Sequence, residues 1–207
     1  MRLQHGDHVC AMYTTTAELA HVVARFLRDG LEHGEQCWYV ASGDETDEIR
    51  AELRALNIDV RAETARKALQ LIAANRAYVV HGDFDPEATT RIFNDAIEQA
   101  YADGFTGFRA AAEMSWALTR EDGPHQLIVY EALLRSLFTN CRAIGLCLYS
   151  RERMPLAVIN GALSTHPIAG SYGRYRSNPF YDSTTEGLSV VEDGEVLAKL
   201  EQLNRRS

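Results

Sequence analysis

The chain has 207 residues, and 21 Lys and Arg against 29 Asp and Glu give a formal charge of −8. A hydrophobic share of 46% is enough for one sizeable core, and the acid excess excludes a broad basic face for nucleic acid. No apolar run reaches the ~20 residues that cross a bilayer, and Met1 to His8 has no apolar signal region, so a cytoplasmic protein is expected. His8 to Tyr13 reads as a short apolar strand, and Ala17 to His33 as a helix with Leu19, Val22, Val23, Phe26, Leu27 and Leu31 on one face. Glu35 to Ala41 follows as a strand whose unbroken apolar run suits burial on both sides. Asp44 to Leu56 reads as a charged surface helix, and Leu69 to Ile72 as a short strand.

Asp85 and Pro86 form a cap and first-turn pair for a helix to about Ala102. Thr106 to Ala112 is a strand running into Glu113-Met114-Ser115-Trp116. A helix from Gln126 to Thr139, a buried strand from Ala143 to Tyr149 and a helix from Pro155 to Leu163 come next. Gly170 to Thr185 reads as loop with short strands, and Glu195 to Leu203 as an amphipathic helix. Alternating strands and helices predict an α/β fold, three-layered around a mainly parallel sheet. Repeats, low-complexity linkers and internal boundaries are absent, so residues 1–207 are read as one domain, with 186–207 a helical extension.

The first strand, its loop and its helix have the layout of a phosphate-binding P-loop unit without its chemistry. A working loop places glycines and a Lys between strand and helix. Here the turn is Thr14-Thr15-Thr16-Ala17-Glu18, and the two lysines of the chain, Lys67 and Lys199, lie elsewhere. ATP hydrolysis is not expected. Cys10, Cys37, Cys141 and Cys147 form no Cys-x-x-Cys pair and read as free thiols.

Several segments together resemble the MEDS family, the methanogen/methylotroph sensory domain of DcmR-type regulators. They are Gly6-Asp7-His8-Val9-Cys10, Phe26 to Leu31, Gly34-Glu35-Gln36-Cys37, Gly107-Phe108-Arg109, Glu113-Met114-Ser115-Trp116, Tyr130-Glu131, Leu146-Cys147-Leu148-Tyr149, Thr165-His166-Pro167 and Asn178-Pro179-Phe180-Tyr181. The resemblance covers roughly residues 5–182. It implies a RecA/KaiC-like fold lacking the Walker A loop, and a sensor of small organic, hydrocarbon-derived compounds. It also implies output through histidine-kinase-like, anti-sigma or DNA-binding modules. No such module is recognisable here, so a separate signalling partner is expected. Leu148 and Ser150 depart from the family's pattern, in which Gln and Asp flank the tyrosine.

His8 and Cys10, two apart on a strand, face one way. With Cys147, which the implied RecA-like sheet would set on a neighbouring strand, they are candidate ligands for a transition metal such as zinc; the alternative is small buried core residues. Glu113, at a strand's carboxyl end, is a candidate ligand-facing carboxylate or the partner of Arg109 in an ion pair. Tyr13, Trp116, Tyr149 and His166 complete a candidate apolar pocket with Arg109 and Glu113; the alternatives are core filling for the aromatics and a turn-fixing role for His166. The leading reading is a non-enzymatic sensor of a small organic ligand. The competing readings are a metal-binding sensor or a metal- or thiol-dependent enzyme using His8, Cys10 and Glu113, and a ligand-free scaffold. A homodimer through the terminal helix stays open.

Overall fold

In the computed structural model, the structure describes residues 1–205 except 42, 44, 79–83, 172, 186 and 189–190. Strand β1 (His8–Tyr13) is buried at every position because it has a neighbour on each edge and helices on each face. Among the described residues the sheet has seven strands in the order β3-β2-β4-β5-β1-β6-β7. The others are β2 (Gln36–Ala41), β3 (Leu69–Ala73), β4 (Phe108–Glu113), β5 (Ala143–Ser150), β6 (Ile168–Ser171) and β7 (Arg174–Ser177). All neighbours run parallel except the β6–β7 hairpin, which closes one edge with a half-exposed antiparallel strand.

Helices α1 (Thr16–Glu32), α2 (Thr46–Ala55) and α3 (Val60–Ala65) cover one face of the sheet. The other face carries α4 (Ala74–Ala77), α5 (Pro86–Ala102), α6 (Gly123–Thr139), α7 (Leu156–Thr165) and α8 (Asp193–Arg205). The expected three-layer α/β arrangement is therefore present. Asp85 caps α5 by accepting the Ala88 N–H at 2.9 Å, with Pro86 in its first turn.

Two short helices, α3 and α4, go beyond the expected elements; at six and four residues each is too short for a periodic signal. A 3-10 segment, Met114–Thr119, follows β4, and α6 starts three residues before the expected Gln126. Gly123 opens that helix because a Cβ there would stand 1.9 Å from the Ala117 carbonyl oxygen. Asp44, the expected start of the second helix, lies outside the described residues. Helix α8 turns Val196, Leu200 and Leu203 into the core and leaves Leu197 exposed, so its apolar stripe docks on its own domain. Among the described residues no helix is long and apolar enough to cross a membrane.

Candidate functional site

Register decides which predicted residues can meet, because residues side by side in a parallel sheet share a face. Cys10 stands beside Cys147 and Met12 beside Tyr149, and all four point toward α6 and α7. Tyr13 stands beside Ser150 and points toward α1 and α2. Glu113 stands beside Leu148, and hence on the Tyr13 side. The six residues expected in one pocket are therefore divided between two faces. The His8, Cys10 and Glu113 constellation is divided in the same way, so those three side chains cannot share one metal ion.

On the α1 face, Glu113 accepts hydrogen bonds from the Tyr13 hydroxyl at 2.9 Å, the Ser115 hydroxyl at 2.7 Å and the Ser115 N–H at 3.0 Å. Burial raises its pKa, and these bonds oppose the rise. Arg109 does not reach it. The guanidinium lies at the opposite end of β4, bonded to Glu35 at 2.6 Å, Asp29 at 2.8 Å and the Phe26 carbonyl at 3.1 Å. That network is a structural lock between α1, β2 and β4 rather than part of a carboxyl-edge site.

The β1–α1 turn has its own polar contacts in the place of a phosphate loop. Thr15 caps α1 by accepting the Glu18 N–H at 3.2 Å, and the Glu18 carboxylate accepts the Thr14 N–H at 3.0 Å. The chain's own anion thus takes up a backbone donor just ahead of the helix N-terminus, where a phosphate would otherwise be favoured.

Trp116 stands on the other face. It stacks on Tyr78 with ring centroids 4.4 Å apart and meets Phe84 edge-on at 4.5 Å. With Ala41, Ala73, Ala74, Asn75, Thr119 and Arg120 these rings line a cleft of about 380 Å³. Ala41 and Ala73 are the last residues of β2 and β3, so the cleft opens at the carboxyl edge of the sheet, the usual ligand position in open α/β folds. The Trp116 indole N–H is buried with no hydrogen-bond partner among the described residues. A larger depression of about 780 Å³ lies between α2 and α3, lined by Arg50, Arg54, Asn57 and Arg61, and borders no residue singled out above.

Deeper under the same face lies a polar cluster only partly visible in the sequence. Glu131 on α6, His8 on β1, Cys147 on β5 and His166 between α7 and β6 are all buried, with one donor atom of each within 4.8 Å of the others. Glu131 Oε2 lies 3.2 Å from His8 Nε2, 3.3 Å from His166 Nε2 and 3.4 Å from Cys147 Sγ. Its Oε1 accepts the Tyr149 hydroxyl. His166 Nδ1 lies 2.8 Å from the Ala162 carbonyl oxygen, which only accepts, so Nδ1 carries a proton. The following backbone is held by Asn178, whose amide donates to the Leu163 and His166 carbonyls at 2.6 and 2.7 Å.

Burial, with His166 alongside, pushes the His8 pKa down to about 4, so its ring is neutral at pH 7. Burial pushes the Glu131 carboxyl up, but His166 and the hydrogen bonds from both rings outweigh it and hold Glu131 below the usual carboxylate range.

His166 is therefore not at a pocket mouth. It precedes β6, whose first residue Ile168 stands beside Val9, in the amino-terminal half of the sheet. Cys10, predicted as a metal ligand, lies outside the four-residue cluster; its Sγ faces the Ile168 carbonyl at 3.7 Å. Glu131 was absent from the predicted ligand set because a lone Glu inside an apolar helical pattern carries no spacing signal. The apolar stretch around it, Leu127 to Leu134, was the available clue, since a carboxylate on a buried face requires partners.

A mainly parallel sheet, a β1–α1 turn without phosphate-binding residues and an acidic side chain ending β4 define a RecA-like domain with a degenerate nucleotide site. The sequence pattern of MEDS, the MEthanogen/methylotroph, DcmR Sensory domain, matches residues 7–167, and the chain belongs to that sensory-domain family. No curated protein sequence matches it. Among solved structures it is similar to a KaiC-like protein from the hyperthermophilic archaeon Pyrococcus horikoshii OT3, at 12% identity and a TM-score of 0.58, over 81% of this chain and 71% of the other. It is also similar to the flagellar accessory protein FlaH from Methanocaldococcus jannaschii, at 12% identity and a TM-score of 0.56, over 92% and 91%. At that identity the likeness establishes the fold alone.

Proposed function

We propose that the domain is a non-enzymatic sensor that takes a small, largely apolar organic compound into the cleft formed by Tyr78, Phe84 and Trp116. The carrying observation is that cleft, with aromatic walls at the carboxyl edge of the sheet. The walls give area for apolar contact. Glu18 at the head of α1 supports the same reading, because its carboxylate disfavours a phosphate at that helix N-terminus. Occupancy would reorder the rings that pack on Tyr130, at 5.9 Å from Tyr78 and 5.6 Å from Phe84, and so bias α6. An output module, on a separate regulatory protein, would read that change.

A monocyclic ring burying roughly 150–200 Å² gains about 4–5 kcal/mol, a dissociation constant of roughly 0.2–1 mM. Fluorobenzene observed by ¹⁹F NMR tests this. Saturable broadening is expected with the unsubstituted chain and with Tyr13→Phe on the opposite face. It should be lost in Asn75→Trp, which fills the cleft from an exposed position. Broadening that survives Asn75→Trp, or none up to the solubility limit, would refute the assignment.

A further inference from the structure

The His8, Glu131, Cys147 and His166 cluster has the form of a metal centre, and we propose that it binds one divalent transition metal, zinc by preference, as a closed four-ligand site. Tetrahedral coordination with bonds of about 2.0–2.3 Å places ligand atoms roughly 3.3–3.8 Å apart. The donor atoms stand at 3.2 Å for His8 with Glu131, 3.3 Å for His166 with Glu131, 3.4 Å for Cys147 with Glu131 and 3.6 Å for His8 with Cys147. Four of the six edges of such a tetrahedron are already close to ligand spacing, and all six lie within 4.8 Å.

His166 gives the second, independent observation. The Ala162 carbonyl fixes a proton on its Nδ1, so in the neutral ring Nε2 presents a lone pair. That nitrogen is wholly buried and lies 3.3 Å from the Glu131 carboxylate, at ion-pair distance but without a well-aligned hydrogen bond among the described residues. Two acceptors facing each other in a dry interior repel unless a cation, either a second ring proton or a metal ion in its place, lies between them. An imidazole that binds metal through one nitrogen and donates its other N–H to a backbone carbonyl is the usual outer-shell arrangement. The Tyr149 hydroxyl on Glu131 Oε1 orients the carboxylate in the same way.

Charge balance selects the ion. On binding, the Cys147 thiol loses its proton, and thiolate plus Glu131 carboxylate cancel a 2+ charge, leaving the buried site neutral. A mixed set of sulfur, nitrogen and oxygen in tetrahedral spacing suits Zn²⁺. Four protein ligands leave no open position, so the ion would bind β1, α6, β5 and the α7–β6 turn together rather than activate water. This inference does not depend on the aromatic cleft.

The test is elemental analysis of chain purified without chelator, paired with optical spectra of chain produced in cobalt-supplemented medium. About one metal per chain is expected, together with tetrahedral cobalt bands and a thiolate-to-cobalt charge-transfer band. Cys147→Ser should abolish the charge-transfer band, His166→Gln should reduce metal content at least tenfold, and Cys10→Ser should leave both unchanged. The spectrum of the unsubstituted chain stands by itself if a variant fails to fold. Absence of metal and of cobalt bands in that chain would overturn the proposal and leave a cluster held by hydrogen bonds alone. Loss of the band in Cys10→Ser with retention in Cys147→Ser would overturn it too.

Discussion

Replacing Tyr149 with Phe isolates one bond of the buried cluster. The ring is fully buried, and burial with Glu131 nearby raises the phenol's pKa, so the hydroxyl keeps its proton and donates at neutral pH. Phe keeps the ring, so the cavity left by one oxygen costs only a few tenths of a kcal/mol at about 24 cal/mol per Å³. Losing a donor to a buried carboxylate costs about 1.5–3 kcal/mol. The total is about 2–3 kcal/mol. In urea unfolding the midpoint should fall with an unchanged slope, and the melting temperature should drop by roughly 4–12 °C for a chain of this size. In a Glu131→Gln background the same change should cost about 1 kcal/mol less, since the acceptor is then neutral. A loss below about 0.5 kcal/mol in the unsubstituted background would show that the hydroxyl does not serve Glu131.

Glu113 should leave a pH signature. Its folded pKa is raised from an ordinary value near 4.5, so the stability tied to its protonated form is complete below that value and is lost as pH rises through the folded pKa. The unfolding free energy of the unsubstituted chain minus that of Glu113→Gln should therefore shrink as pH climbs from 4 to 7, and a constant difference would count against a buried, raised carboxyl. Arg109→Met takes the guanidinium from the buried Glu35 carboxylate, which keeps the His5 ring at 2.8 Å, and should cost about 3–5 kcal/mol in denaturant unfolding. Pairing it with Glu35→Met should recover most of that loss, and a single-variant cost below about 1 kcal/mol would argue against the lock.

The sequence disclosed the elements better than their encounters. Asp85-Pro86 marked a helix start through local capping chemistry, and the unbroken apolar run of β2 marked a covered strand. Glu113 was placed at a strand end because the hydrophobic run stops there. None of these needs a partner to be legible. The division of Tyr13 from Tyr149 depends on register: Tyr149 stands beside Met12, one residue before Tyr13, and that offset turns the two rings to opposite faces. The pairing of Cys10 with Cys147 follows from strand order, which the resemblance supplied and residue patterns alone do not.

Tyr78 and Phe84, two walls of the cleft, sit outside the strong periodic segments. Tyr78 follows a four-residue helix, and Phe84 precedes α5. They were missed for that reason. Glu131 was missed because its partners come from three other elements: His8 from β1, Cys147 from β5, and His166 from the α7–β6 turn.

The most direct test of the sensor assignment is a crystal of the chain soaked in iodobenzene, with the iodine located by anomalous scattering. The account expects one strong peak among Tyr78, Phe84 and Trp116 at the carboxyl edge of the sheet. Iodine seated elsewhere, with that cleft empty, would contradict it.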